Sequence, residues 1–74
     1  MATTSPVSCV MHIGEVAGMV WRTLSDEGPV TLAKLVKLVD VPRDTVMQAV
    51  GWLAREGKVG FDENSRNRKI FLQP

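Results

Sequence analysis

The chain has 74 residues, of which 45% are hydrophobic and 23% are charged, and its formal net charge is +1. This length provides for one domain, and the composition is typical of a globular domain and excludes an intrinsically disordered chain. A charge this close to zero gives only weak support for nucleic-acid binding, and a single cysteine excludes an internal disulfide framework.

The N-terminal segment 1–9 is small and polar around a proline, so we expect a flexible arm there and a single domain over residues 10–74. No basic segment precedes an apolar run, as it would in a signal peptide. No stretch approaches the roughly 18 uninterrupted apolar residues of a membrane span. We therefore expect a cytoplasmic protein with no membrane association.

Apolar residues recur at helical spacing from Val10 to Leu24 and predict a first helix, which Gly28 and Pro29 end. Val30 is predicted to form a strand of one or two residues. Thr31 suits the N-cap of a short second helix, because its hydroxyl can accept a hydrogen bond from a free backbone amide.

A turn at Asp40-Val41-Pro42 precedes a third helix, predicted over Pro42–Glu56 with Pro42 in its first position. One face of this helix is apolar and the opposite face is polar, as in an amphipathic helix. Gly57 is predicted to end it as the C′ residue.

The residues after Gly57 predict a β-hairpin, because apolar and polar side chains alternate on both sides of a turn rich in Asn and Ser. The element order predicts an α+β fold, a winged helix-turn-helix in which a three-helix bundle is closed by a C-terminal two-stranded β-hairpin wing. The predicted core consists of Ile13, Val16, Val20, Leu24, Leu32, Leu35, Val46, Val50, Leu53, Val59, Phe61 and Ile70.

Three segments also resemble a known family: Ile13–Trp21, the Leu-Val-Lys-Leu run at 35–38, and Val50–Val59, which contains Gly-Trp-Leu-Ala-Arg-Glu. They resemble a small bacterial family of stand-alone winged helix-turn-helix domains of unknown function, over roughly residues 12–73. The resemblance implies the same fold, and a shared fold does not by itself fix an activity.

Two surfaces are candidates for DNA contact in such a fold. The third helix would enter the major groove, where Arg and Gln make paired hydrogen bonds to guanine and adenine, and the wing would neutralise phosphates. The candidate residues are Arg43, Thr45 and Gln48 on the helix and Arg66, Arg68 and Lys69 on the wing. The alternative is that both surfaces are ordinary solvated, charged faces.

The charge distribution supports both interpretations to some extent. Residues 43–74 have a net charge of +2 and residues 1–42 of −1, but Asp44, Asp62 and Glu63 lie beside the candidate basic residues. Our first hypothesis is a DNA-binding protein, with a transcriptional regulator as one form of it, using helix 42–56 and wing 58–72. The alternative is a protein–protein interaction module that keeps the winged helix fold without DNA binding.

Gly14 and Gly18 lie four residues apart on the first helix, on the side that also carries Trp21. Each glycine weakens a helix by about 1 kcal/mol relative to alanine, so a compensating close approach of another helix is expected. We favour a homodimer with Gly14, Gly18 and Trp21 at its interface. Packing of Trp21 within the monomer is the alternative.

Cys9 and His12 could share a helix face as metal ligands, but two ligands are too few for a structural zinc site. One His, one Cys and no phosphate-binding glycine loop leave no nucleophile–base pair to assemble. We therefore expect no enzyme activity, no cofactor, no metal and no small-molecule substrate.

Overall fold

A computed structural model describes residues 6–63 and 68–73 of the chain. The elements follow one another as α1 (Pro6–Glu27), β1 (Val30–Thr31), α2 (Leu32–Val39), α3 (Arg43–Arg55), β2 (Val59–Asp62) and β3 (Lys69–Leu72). This order of three helices and a C-terminal hairpin confirms the predicted α+β winged helix-turn-helix fold.

The strands form one antiparallel sheet in the order β1-β3-β2, so the hairpin gains a third strand from the segment before α2. Val30 lies opposite Ile70 in the β1–β3 pair, and Val59 lies opposite Leu72 in the β2–β3 pair. Because β3 is central, it connects the wing to the helix-turn-helix half of the domain.

The helix ends follow from local chemistry. The Lys34 backbone N–H donates to Thr31 Oγ1 over 3.2 Å, which confirms Thr31 as the N-cap of α2. At the end of α3, Gly57 has a φ of 74°, and the N–H groups of Gly57 and Lys58 donate to the carbonyls of Ala54 and Leu53. This is a Schellman motif, in which the glycine adopts the left-handed conformation at no steric cost.

Two predicted helix boundaries were wrong. Helix α1 begins at Pro6 instead of Val10, so residues 6–9 of the expected arm are helical; proline suits a first helical turn, and no helix breaker follows it. Pro42 is the N-cap of α3 and not its first residue. Its ψ of 143° is extended, and its carbonyl accepts hydrogen bonds from the N–H groups of Thr45 and Val46.

One apolar core lies between α1, the helix-turn-helix pair and the inner face of the sheet. It confirms most of the predicted residues and adds four small or β-branched ones. The buried hydrophobic residues are Val16, Ala17, Val20, Leu24, Val30, Leu35, Val39, Val46, Ala49, Val50, Leu53, Val59 and Ile70.

Three predicted core residues are less buried than expected. Ile13 and Leu32 are half-buried, and Phe61 is 36% exposed. Phe61 lies on the same face as Val59, but β2 is an edge strand and so has a neighbour on one side only. The alternation of apolar and polar residues therefore predicted the correct face of β2. It did not predict the position along β2 at which the core ends.

Candidate functional site

The first candidate surface is the exposed side of α3. Arg43 and Gln48 are exposed, as a contact with a nucleic acid requires, whereas Thr45 is half-buried and so less available than expected. Asp44 is also exposed, in the first turn of the helix. The leading end of α3 therefore presents both a guanidinium and a carboxylate.

The second candidate surface is the base of the wing. Arg68 and Lys69 are exposed at the start of β3, and Lys69 lies directly opposite Asp62 in the sheet. Opposite charges at such a position attract each other, which lowers the positive field of Lys69. The predicted contact Arg66 lies outside the described residues. The two candidate surfaces lie on different elements, α3 and β3.

The core of the described part of the chain is apolar. Among the described residues, no polar or charged side chain is buried, and no group of three His, Cys, Asp or Glu residues could hold a metal ion. Cys9 is exposed, and His12 Nδ1 lies 3.8 Å from Glu15 Oε1 on the surface of α1. In the same part of the chain, no helix has both the length and the apolar character needed to cross a membrane.

A groove between α1 and α3 is the main surface that the sequence did not define. We call it the tryptophan groove; it has a volume of about 460 Å³, and its lining includes Gly14, Gly18, Trp21, Trp52, Glu56 and Lys58. Trp21 is 45% exposed and Trp52 is 39% exposed, so both indole rings face solvent in part.

The rim of the groove is charged on the α3 side. Lys58 Nζ lies 3.5 Å from Glu56 Oε1, and both side chains are about half exposed. Such an exposed pair contributes little to stability. The groove is thus an aromatic surface whose charged lining residues are Arg22, Glu56 and Lys58.

The two glycines of α1 do not pack closely within the monomer. A Cβ placed on Gly14 or on Gly18 would meet no atom within 4 Å in the part of the chain that the structure describes. Close helix packing inside the monomer therefore does not explain these two glycines. Packing of Trp21 within the monomer stays an alternative prediction, because Trp21 lines the groove and is only partly exposed. Trp52 was not among the predicted interface residues, and its place in the same groove depends on how α1 crosses α3.

Comparison with known proteins agrees with this geometry. Residues 9–73 match a family described as a winged helix-turn-helix domain (DUF2582). The solution NMR structure of protein BT2368 from Bacteroides thetaiotaomicron is similar to the chain, with a TM-score of 0.76 and 31% sequence identity. That similarity covers 84% of this chain and 76% of the other.

No curated protein matches the chain significantly. The family match nevertheless spans almost the entire sequence and agrees with the observed fold. The chain therefore belongs to the winged helix-turn-helix family DUF2582.

Proposed function

We propose that this chain is a cytoplasmic DNA-binding protein of the transcription-regulator type. The supporting observation is that α3 follows α2 after a tight turn and presents Arg43 and Gln48 to solvent, as a recognition helix does. The single exposed cysteine suits a reducing compartment. Winged helix-turn-helix domains are typically binding modules, and we propose no catalytic role.

Each exposed residue has a role in this proposal. Arg43 and Gln48 reach base edges or phosphates in the major groove, where their paired hydrogen-bonding groups match guanine and adenine. Arg68 and Lys69 contact phosphates from the wing, as does Arg66. Thr45 contributes at most a hydroxyl contact, because it is half-buried.

The acidic neighbours limit the expected affinity. Asp44 shares the first turn of α3 with Arg43, and Asp62 lies opposite Lys69 across the hairpin. We therefore expect non-specific binding in the ordinary range of about 10⁻⁴ to 10⁻⁶ M at physiological salt. A specific sequence would be bound more tightly.

The test is a fluorescence anisotropy titration of labelled duplexes of several sequences at four or more salt concentrations. Replacing Arg66 and Arg68 with alanine should weaken binding equally on all duplexes and lower the salt slope by about one unit per lost phosphate contact. Gln48→Ala should instead change the preference among duplexes. Lys34→Ala is the matched control, because it removes one exposed positive charge from α2, which carries neither candidate surface.

A second candidate function is a protein-interaction module without DNA binding. The observation that favours it is the tryptophan groove, which partly exposes two indole rings between α1 and α3. If no duplex binds even at low salt, the DNA proposal is wrong and the interaction module becomes the better hypothesis.

A further inference from the structure

An exposed stripe runs along the flank of α1 that borders the tryptophan groove. It consists of Met11, Gly14, Gly18 and Trp21, which are spaced three, four and three residues apart and therefore share one face of the helix. Met11 is 63% exposed and Trp21 is 45% exposed. The four residues are called the α1 stripe below.

The order of sizes along the α1 stripe is symmetric. The two glycines lie at the centre, the two large side chains lie at the ends, and Val16 marks the midpoint. In two antiparallel copies of α1 related by a two-fold axis at that midpoint, Gly14 meets the partner's Gly18 and Met11 meets the partner's Trp21. This arrangement therefore places small residues against small ones and large residues against large ones.

We propose that the α1 stripe is covered by the α1 stripe of a second copy of this chain, in an antiparallel two-fold arrangement. This assembly extends the homodimer expected from the sequence by specifying its register and orientation. It does not depend on DNA binding.

The glycines are the first argument for a second helix as the occupant. Both lie inside α1, where glycine weakens a helix relative to alanine, and a Cβ at either position would meet no described atom within 4 Å. Without side chains at the centre of the contact, two helix backbones can approach to the short end of the usual 8–10 Å range.

The large residues are the second argument. Residues 9–12 of α1 are all exposed, and Val10 and Met11 are 46% and 63% exposed. The antiparallel arrangement lays this apolar end against the partner's Trp21 and Trp52 in the tryptophan groove. A methionine thioether against an indole ring is a favourable contact.

Charge is the third argument. Glu15 and Arg22 lie on the same edge of the α1 stripe, seven residues apart and both exposed. Side chains on a helix lean toward its N-terminus, so in antiparallel copies Glu15 leans toward the partner's Arg22 and away from the partner's Glu15. Two such pairs of opposite charge would flank the glycine contact.

The first experiment is sedimentation equilibrium of the full chain from about 5 to 500 μM, which spans weak to moderate dimer affinities. We expect a dimer for the wild type, and Gly18→Leu should weaken association at least about tenfold. Gly51→Leu is the matched control, because Gly51 also lies inside a helix with no described atom within 4 Å of its Cβ position. It should remain a dimer.

Circular dichroism melting of the same variants separates misfolding from dissociation. No described atom lies within 4 Å of the Cβ position at either glycine, so both variants should keep the wild-type helix content. A wild type that is monomeric at 500 μM, or a Gly18→Leu variant that dimerises as tightly as the wild type, would overturn the proposal.

The register is tested by charge reversal. Glu15→Arg and Arg22→Glu should each weaken dimerisation by about three- to tenfold, because each places like charges at both flanking pairs. The double variant should regain the wild-type constant. Single variants with unchanged association would contradict the antiparallel arrangement.

Discussion

A close contact in the hairpin makes Gly60 a sensitive position. Gly60 lies opposite Phe71 in the β2–β3 pair, and a Cβ on it would lie 2.8 Å from Phe71 Cζ and 3.0 Å from Gln73 Nε2. Carbon atoms prefer separations of about 3.5–4.0 Å, so Gly60→Ala forces the aromatic ring to retreat by about 0.7 Å or more. The ring covers the glycine, as aromatic residues do in other sheets.

The expected change in the free energy of unfolding is the difference between two opposing effects. Overpacking typically costs about 1–3 kcal/mol, and removing a strand glycine returns about 0.5–1 kcal/mol. Gly60→Ala should therefore destabilise the domain by about 1 kcal/mol, which lowers Tm by about 4–8 °C in a domain of this size.

The assay is urea and thermal unfolding followed by circular dichroism, with Gly51→Ala as the control. Gly51 is an exposed helical glycine with no described atom near its Cβ position, so the same substitution there should stabilise the domain by about 1 kcal/mol. In the double variant with Phe71→Leu, the cost of Gly60→Ala should shrink, since the shorter side chain relieves the contact. Equal stabilisation by both alanines would refute the reasoning.

Three further substitutions test the core and the helix ends, all by urea unfolding. Leu53→Ala should cost about 2–5 kcal/mol, because Leu53 is buried between α1 and α3; a loss below 1 kcal/mol would contradict its place in the core. Thr31→Ala should lower the free energy of unfolding by about 1 kcal/mol, because it removes the acceptor for the Lys34 N–H. Thr31→Ser keeps the hydroxyl and should retain most of that free energy. Asp40→Gly should raise the free energy of unfolding by up to about 1 kcal/mol, because Asp40 has a φ of 61° and glycine adopts this left-handed conformation without steric cost. Asp40→Val should lower the free energy of unfolding.

The parts of the fold that were predictable are those in which local sequence decides the outcome. Helical periodicity located α2 and α3. Thr31 predicted the N-cap of α2, and Gly57 predicted the end of α3. Strand alternation found the inner face of the hairpin. These features depend on contacts within a few residues, so no tertiary information is needed.

The remaining features depend on contacts between distant segments. The exposure of Phe61 follows from the position of β2 at the sheet edge, and the crowding at Gly60 follows from its register with Phe71. The candidate site shows the same division. The helix period placed Gln48 on the polar face of α3, whereas the shared groove of Trp21 and Trp52 requires the crossing of α1 over α3.

The two-residue strand β1 has a consequence for folding. Its pairing of Val30 with Ile70 joins positions about forty residues apart, whereas the helices form from local contacts. Closing so long a loop is entropically unfavourable and proceeds after local structure has formed. We therefore expect this pairing to form late on the folding pathway. Because β3 lies between β1 and β2, its amides should exchange with deuterium only when the whole domain unfolds.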